Sequence, residues 1–195
     1  MSTVKSKKLQ VGTDATSSNN FTIYQPAVPD GTLRIGVGNA DSPTEVGQFN
    51  ANGYKPATAP AFVAQSNSAT SVSSSTWTKI NYNNEINDTT GDYSSSRFTP
   101  SVAGYYVFNA NCQIGALSDQ PLLCTIYKNG TATTLGYAAG GFKSGALDSG
   151  ASFSAVLYMN GTTDYVEGYV FQASGSSKNT YSVGMLFSGC LLQQT

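Results

Sequence analysis

The chain has 195 residues, of which 11% are charged, and 10 basic against 11 acidic side chains leave a net charge of −1. This near balance gives no broad field that would attract nucleic acid or an anionic membrane, so we expect neither a nucleic-acid partner nor membrane insertion. The sequence has no histidine, which removes the usual base of a serine or cysteine nucleophile and the commonest zinc ligand.

Residues 1–55 differ in composition from the rest of the chain. Their strand-like segments are short and are separated by turn clusters such as Pro29-Asp30-Gly31. The predicted strands are 8–11, 21–24, 33–37 and 45–49. So small a unit holds too few large apolar residues to offset its ordering entropy alone. We therefore expect 1–55 to be a β-rich attachment module whose chains intertwine or that docks on a larger body.

The segment 56–61 reads Pro-Ala-Thr-Ala-Pro-Ala and carries two prolines among small residues. Because proline fixes φ and removes a backbone donor, this composition favours an extended, semi-rigid linker over a helix. We place the domain boundary at this linker, with a head domain at 62–195.

The central stretch of the head is 97–114. Every second residue from Tyr106 to Ile114 is apolar, which is the period of a strand and not of a helix. The C-terminal stretch 181–192 shows a similar alternation around Gly189. We expect these two strands to pair.

Around the central strand, the head reads as short strands joined by turns. Asn129-Gly130 and Asn160-Gly161 are both hairpin signals. The other predicted strands are 62–65, 77–82, 122–128, 133–138, 151–159 and 164–173, and the predicted loops are 83–92, 140–150 and 174–179. This pattern is typical of an all-β domain.

Several strands also carry apolar residues opposite their expected core face. A monomeric sandwich normally leaves that outer face polar, so a second buried surface is indicated. Self-association would provide it, and scattered exposed apolar residues are the alternative. The residues concerned are Tyr105, Val107, Val156, Tyr158, Val166, Val170 and Leu186.

Five short motifs follow one another in the head. They are Trp77-Thr-Lys-Ile80, Arg97-Phe-Thr-Pro100, Ala103-Gly-Tyr-Tyr-Val-Phe108, Lys128-Asn-Gly130 and Phe187-Ser-Gly-Cys-Leu-Leu192. In this order they resemble the globular head of complement component 1q. The resemblance implies a ten-stranded jelly-roll sandwich that forms homotrimers, as in the tumour-necrosis-factor superfamily, and it implies no catalytic chemistry.

In the N-terminal module, the segment 30–39 reads Asp-Gly-Thr-Leu-Arg-Ile-Gly-Val-Gly-Asn. With the following Val46-Gly-Gln-Phe49 and Asn52-Gly53, it resembles the short β-repeats in the shafts of bacteriophage fibres. The glycines do not recur at every third position, so a collagen stalk is not expected. No apolar stretch follows the basic N-terminus, so no secretory signal is predicted. We expect a virion-surface protein made in the host cytoplasm.

The predicted loop 83–92 carries a set of hard oxygen ligands, Glu85, Asn87, Asp88 and Asp92. Some heads of the resembled family bind calcium, but the spacing here differs from that of an EF-hand loop. Calcium therefore stays a candidate and no cofactor is assigned.

A glycosidase would need two facing carboxylates. The strand candidates Asp164 and Glu167 are three residues apart and so would point to opposite faces of a strand. We assign no catalytic residue. The three cysteines, Cys112, Cys124 and Cys190, lie in predicted strands and are expected to be buried and reduced.

Two sets of residues are candidates for contact with other molecules. The loops 83–93 and 140–150 are the candidate ligand-contact loops, and Tyr82, Tyr93 and Tyr137 near loop ends are of the type that stacks on sugars, although tyrosine is also common in sheets. The candidate ligand-contact residues are Glu85, Asp88, Asp92, Tyr93, Phe142 and Lys143. Lys5, Lys7 and Lys8 are candidates for contact with an acidic patch on the virion, and a solvated tail is their alternative.

The sequence thus predicts a non-enzymatic, homotrimeric bacteriophage structural protein. It would be a capsid decoration protein, a head fibre or a short tail fibre. Its N-terminal module would bind a capsid or tail protein, and its head would adhere to the host surface or to a glycan. A free, lectin-like carbohydrate-binding protein is the alternative from a different class, and a depolymerase enzyme is the third.

Overall fold

A computed structural model describes residues 7–56, 59–115, 117, 120–133, 135–140 and 148–195. The chain separates into two compact units, Met1–Ala59 and Pro60–Thr195. Regular structure in the described residues is β-strand apart from a 3₁₀ turn at Ser17–Asn19, which confirms the all-β class. Within these ranges no helix has the length and apolar character needed to cross a bilayer.

The first unit is one antiparallel sheet whose strands pair in chain order. Its strands are β1 (Lys8–Val11), β2 (Phe21–Tyr24), β3 (Leu33–Val37), β4 (Thr44–Asn50) and β5 (Gly53–Pro56). The first four lie where the sequence predicts strands. The sequence gives no sign of β5, because it is short and ends on a proline, a residue that argues against a strand.

The two faces of this sheet differ in polarity. Residues opposite each other on paired strands share a face, and the register places Leu9, Ile23 and Ile35 in one row. We call this side the N-terminal apolar face; it consists of Leu9, Val11, Phe21, Ile23, Leu33, Ile35, Val37, Phe49 and Tyr54. On the opposite, polar face, Arg34 forms ion pairs with Glu45 at 2.8 Å and with Asp30 at 2.7 Å.

In its described residues, the second unit contains seven strands of five or more residues and seven two-residue strands. The longer ones are β6 (Ala61–Gln65), β9 (Asn84–Asp88), β12 (Ala103–Ile114), β13 (Leu122–Lys128), β16 (Ser149–Asn160), β17 (Val166–Gln172) and β19 (Leu186–Gln194). The short ones are β7 (Ser71–Val72), β8 (Thr78–Lys79), β10 (Tyr93–Ser94), β11 (Arg97–Phe98), β14 (Thr131–Ala132), β15 (Ala138–Ala139) and β18 (Lys178–Asn179).

These strands form two main antiparallel sheets. Sheet I has the order β16-β12-β19-β6-β9, and sheet II has the order β10-β11-β17-β13-β14, with β8 paired to β17 and β15 paired to β13. The predicted pairing of the central and C-terminal strands is confirmed, with Ala110 opposite Phe187 and a bulge between Tyr105 and Tyr106. On its other edge β12 pairs with β16 along its whole length.

Sheets I and II pack around an aromatic core. Phe62 on β6 stacks on Phe98 on β11 with ring centroids 4.4 Å apart, and Phe187 meets Phe62 edge-on at 4.9 Å. A side chain at Gly189 would collide with the ring of Phe108, so a glycine here lets that ring lie against β19. Every second residue from Tyr106 to Ile114 is buried, as the alternation predicts.

One of the two Asn-Gly signals closes a hairpin. Asn129 and Gly130 have φ of +54° and +76°, the left-handed conformation of a tight hairpin turn, and Lys128 pairs with Thr131. Asn160-Gly161 does not close a hairpin, because the strand before it belongs to sheet I and the strand after it to sheet II.

Several other strands differ from the predicted ones. The sequence predicts a loop at 83–92, but β9 pairs there with β6 through the backbone. Its residues Asn-Glu-Ile-Asn-Asp contain one apolar side chain, so no alternation marks the strand. The C-terminal strand begins later than predicted, because Gly184 has φ of +77° and interrupts the extended chain. The predicted strands at 77–82, 133–138 and 164–173 are shorter or shifted, and the predicted tip at 174–179 includes β18.

Candidate interaction surfaces

The outer face of sheet I carries a patch of apolar side chains. The register places Tyr105 opposite Tyr158, and Val107 opposite Val156 on one side and Cys190 on the other. The rings of Tyr105 and Tyr158 meet edge-on at 5.6 Å. These two tyrosines and Val156 are 46%, 42% and 51% exposed, respectively. We call these five residues the head apolar face.

The strands that form this face contain no charged residue: β12, β16 and β19 read AGYYVFNANCQI, SGASFSAVLYMN and LFSGCLLQQ. Beside the head apolar face, Asn109 donates a hydrogen bond to Ser154 at 2.7 Å. A groove of about 250 Å³ runs over β6, β12 and β19. At the border of the face, Lys128 lies 5.8 Å from the ring centroid of Tyr158 and is paired with Asp164. Covering this face with another protein surface would therefore desolvate no unpaired charge.

Two valines expected on this second surface lie elsewhere. Val166 and Val170 are fully buried in the core, and the prediction that they face outward is wrong. In β17 these two valines point inward, and Tyr169 and Phe171 point outward. Because both faces of the strand carry apolar residues, alternation in the sequence does not show which face is buried. Leu186 is 38% exposed at the end of the outer face of sheet I.

The cysteines divide between the core and this surface. Cys112 and Cys124 are buried and free, and a hydrogen bond between the two thiols together with burial raises the pKa of Cys112 well above its usual value. Cys190 is free but exposed, in contrast to the expectation that all three are buried. Because β19 turns Cys190 to the outer side of sheet I, its thiol reports on whether the head apolar face is covered.

Asp88 and Asp92 are bound into the turn that follows β9. The Asp88 carboxylate accepts hydrogen bonds from three backbone N–H groups between Thr90 and Tyr93. Asp92 accepts from the backbone N–H and the hydroxyl of Ser101, both at 3.1 Å. In the described ranges, no group of three or more histidine, cysteine or acidic side chains is arranged to hold a metal. We assign these two carboxylates a role in shaping the turn.

The other candidate ligand-contact residues have different surroundings. Glu85 is exposed on β9. Tyr93 is a core residue: it is 7% exposed, its hydroxyl donates to the carbonyl of Tyr82 at 2.8 Å, and burial raises its pKa. Phe142 and Lys143 lie outside the described residues.

Of the N-terminal lysines, Lys5 also lies outside the described residues. Lys7 is exposed, and Lys8 donates a hydrogen bond to the carbonyl of Ala40 at 2.6 Å. Lys8 projects from the polar face of the N-terminal sheet, opposite Tyr24.

The outer face of sheet II carries a cluster of aromatic rings that we call the aromatic cluster. The Trp77 ring centroid lies 5.4 Å from that of Phe171, 6.1 Å from Tyr127 and 6.3 Å from Tyr137. Tyr127 in turn stacks on Tyr169 at 3.8 Å. Tyr137 is 59% exposed. Of the three tyrosines proposed from sequence to stack on sugars, Tyr137 lies in this cluster.

Beside the aromatic cluster, Glu167 is a buried carboxylate held by two cations. Lys79 Nζ and Arg97 Nε each lie 2.8 Å from its Oε1, and its side chain is 3% exposed. The Arg97 guanidinium also lies 3.8 Å above the ring of Tyr165. Burial alone would raise the pKa of Glu167, but the hydrogen bonds and charges of Lys79 and Arg97 outweigh burial and lower it.

Asp164 belongs to a different network. It lies before the start of β17 and pairs with Lys128 at 2.8 Å, while Asn129 donates a hydrogen bond to its other oxygen. Asp164 therefore ties the chain reversal after β16 to the Asn129-Gly130 turn. The two carboxylates considered for glycoside chemistry are thus each committed to separate structural cations.

Comparison with known proteins gives structural neighbours only. No protein-family model matches the chain, and no curated protein sequence matches it. The globular domain of zebrafish complement 1qA protein matches with 19% identity and a TM-score of 0.54, over 71% of this chain and 100% of that one. Eiger TNF from S. frugiperda matches with 10% identity and a TM-score of 0.53, over 70% and 93%. PRD1 vertex protein P5 matches with 11% identity and a TM-score of 0.50, over 69% and 97%.

Each match covers about the share of the chain that the unit Pro60–Thr195 makes up. At these identities the likeness shows the fold. The resemblance seen in the sequence motifs is confirmed: the head is a jelly roll like those of complement component 1q and tumour necrosis factor.

Sequence reasoning missed the aromatic cluster and the Glu167 network. Tyr169 and Phe171 are two residues apart on one strand, which is a signal for an aromatic outer face. The partners of Glu167 are 88 and 70 positions away along the chain, and no local pattern connects them.

The Glu167 network predicts a defined pH dependence of stability. A carboxylate whose pKa is lowered by folding adds stability above its unfolded pKa of 4.5, and this stability is lost as the pH falls through the lower folded value. Replacing Glu167→Gln should lower stability at pH 7 by about 1–3 kcal/mol, because hydrogen bonds to charged groups are lost.

Denaturant unfolding of both proteins at pH 7 and pH 3 measures this difference. The gap between wild type and Glu167→Gln should shrink at pH 3. An equal difference at both pH values would mean that the contribution of Glu167 to stability does not depend on its negative charge.

Proposed function

We propose that the chain is a non-enzymatic, homotrimeric structural protein of a bacteriophage virion. The observation that carries this proposal is the head apolar face, where half-exposed tyrosines and valines lie on strands without a charged residue. An apolar patch of this kind on a single chain marks a protein contact. A copy of the same face is a neutral, apolar partner for it, and the likeness to complement 1q and tumour-necrosis-factor heads supports three copies.

The role in a virion is supported by both units. PRD1 vertex protein P5 shares the fold of the head, and the segment 30–53 resembles the β-repeats of bacteriophage fibre shafts. We infer that 1–55 anchors the protein to a capsid or tail protein and that the linker 56–61 carries the head 62–195 outward. The protein would then be a capsid decoration protein, a head fibre or a short tail fibre on the virion surface, and its head would serve adhesion to the host.

The trimer predicts the effect of a charge placed in the head apolar face. Light scattering of the wild-type protein should give three times the chain mass of 20.4 kDa. Val156→Lys should give a folded chain of lower mass, because a lysine would be buried without a partner at the contact. The matched control is Val183→Lys, since Val183 is 62% exposed and lies outside this face.

The exposed thiol gives a second measurement of the same contact. In the wild-type trimer Cys190 should react slowly with a maleimide reagent, and in Val156→Lys it should react fast. If the wild-type protein has the mass of one chain at micromolar concentration, the trimer is wrong. If Val183→Lys dissociates as Val156→Lys does, the contact lies elsewhere.

If residues 1–55 are the anchor, they should be required for the protein to bind to the particle. Full-length protein added to particles that lack it should bind to full occupancy, whereas residues 60–195 should remain in solution. Copy number per particle, measured on purified particles, checks this, and immunogold labelling distinguishes capsid from tail. Full occupancy with residues 60–195 alone would show that the anchor lies in the head.

A lectin-like recognition protein is the second candidate, and the aromatic cluster is the observation that favours it. Aromatic rings on a partly exposed sheet face, with hydroxyl groups beside them, suit stacking on sugar rings and hydrogen bonding to their hydroxyls. The same surface would give a virion-bound head its glycan adhesion. Absence of the protein from purified particles, with glycan binding retained, would favour the free lectin.

Glycan binding would depend on Trp77, whose ring lies at the centre of the aromatic cluster. On a glycan array, Trp77→Ala should weaken binding about two- to tenfold, the amount that one aromatic contact contributes. Trp77→Phe keeps a ring and should retain most of the binding. Equal binding by wild type and Trp77→Ala at equal thermal stability would exclude this surface.

A further inference from the structure

The N-terminal apolar face is open in the single chain. Leu9, Phe21, Phe49 and Tyr54 are 59%, 50%, 45% and 55% exposed. Among the described residues of this unit the buried side chains are polar, such as Thr22, whose hydroxyl donates a hydrogen bond to the carbonyl of Gly38. The sheet therefore has the apolar side of a core but not the opposing layer.

A sheet of this kind needs a second layer to be stable. Stable domains bury the apolar face of a sheet against another element. Fixing each residue of the sheet costs about 1–2 kcal/mol of backbone entropy, which strand pairing alone does not offset. Something must cover the N-terminal apolar face whenever the sheet is formed.

The distribution of charge identifies what can cover it. The register places Lys8, Arg34 and Lys55 in one row on the polar face, and Glu45 lies on that face as well. None of the nine members of the N-terminal apolar face is charged, and Lys7, which lines the same groove as Leu9 and Phe49, lies at its edge. Two copies of the face can therefore meet while the Lys7 ammonium stays in water at the rim.

The exposed area has the size of a protein contact. A large apolar or aromatic side chain that is half exposed leaves about 100 Å² uncovered, so this face exposes roughly 500 Å². That is at the upper end of the largest patch on an ordinary monomer, about 300–600 Å². Three such faces together would bury about 1,500 Å², which is a standard protein interface.

The connection to the head places the copies close together. This step rests on the proposed function, that is, on a trimer formed through sheet I. The strand β5 ends at Pro56 and β6 of sheet I begins at Ala61. Five steps of extended chain span at most about 18 Å. Three N-terminal sheets on one trimer are thus confined near one another at an effective concentration of about millimolar or higher.

We propose that the three N-terminal apolar faces of one trimer pack against one another and form a second hydrophobic core. Each N-terminal apolar face is thus covered by the same face of the other two chains. The polar faces then point outward, and the row of Lys8, Arg34 and Lys55 is what a capsid or tail protein meets.

Two neighbouring residues of β4 give a matched test, because Phe49 lies on the apolar face and Gln48 on the polar face. Full-length Phe49→Glu and Gln48→Glu are compared with wild type by amide hydrogen exchange. Gln48 lies between Arg34 and Lys55, so a glutamate is accommodated there. We expect exchange in β2, β3 and β4 to become at least about tenfold faster in Phe49→Glu and to stay unchanged in Gln48→Glu.

The head should keep its exchange rates and its trimeric mass in both variants. Since Phe49 is 45% exposed in the single chain, an open face would tolerate the glutamate. Unchanged exchange in Phe49→Glu would therefore overturn the inference. Fast amide exchange in β2, β3 and β4 of the free wild-type trimer would also overturn the inference. In that case the N-terminal apolar face would be covered only on the particle.

Cross-linking shows whether the N-terminal apolar face is covered by other copies of the chain or by something else. In a Cys190→Ser background, Ile35→Cys on the apolar face and Gln48→Cys on the polar face are treated with a short bismaleimide. The remaining native cysteines are buried. Each chain then offers one accessible thiol, and a bismaleimide joins two thiols. We therefore expect covalent dimers from Ile35→Cys and monomers from Gln48→Cys.

The outcomes separate this inference from the function on which it rests. A trimeric mass with only monomeric Ile35→Cys product would overturn the inference and leave the trimeric head in place. A wild-type mass of one chain would overturn the trimer, and the inference with it.

Discussion

The stacked rings of Phe62 and Phe98 hold the head together, because they join strands that share no hydrogen bonds. Phe62 belongs to sheet I and Phe98 to sheet II, and their centroids are 4.4 Å apart. Backbone pairing stabilises each sheet internally, whereas side-chain contacts attach one sheet to the other. The aromatic core therefore decides which side of each sheet is left for other contacts.

The two outer faces that result have different chemistry. The strands β12, β16 and β19 of sheet I have no charged residue, whereas sheet II carries Glu167 with its two cations beside the aromatic cluster. A neutral, apolar face is suited to permanent burial against another protein surface. A face with rings, hydroxyls and ion pairs tolerates water and suits reversible binding. In the proposed function, the face of sheet I would serve self-association and the face of sheet II recognition.

Much of this arrangement could be predicted from the sequence, and the failures have physical reasons. Strands β1 to β4 and the strand from Tyr106 to Ile114 follow from alternation and turn residues, which are local. Alternation does not place Val166 and Val170 on the core face, because Tyr169 and Phe171 make the other face of β17 apolar as well. The strand β9 shows no alternation because its residues Asn-Glu-Ile-Asn-Asp include one apolar side chain. The Glu167 network depends on tertiary contacts over 70 or more positions.

The N-terminal sheet shows how an incomplete core can make one part of a protein depend on another. One face of this sheet carries nine apolar or aromatic side chains, and the sheet lacks an opposing layer among the described residues of its unit. In the proposed arrangement, the missing layer is present only after the heads have associated. The outward polar row of Lys8, Arg34 and Lys55 would then be ordered only in a trimer. A chain with a misfolded head would present no ordered anchor, and the particle would take up assembled protein in preference to single chains.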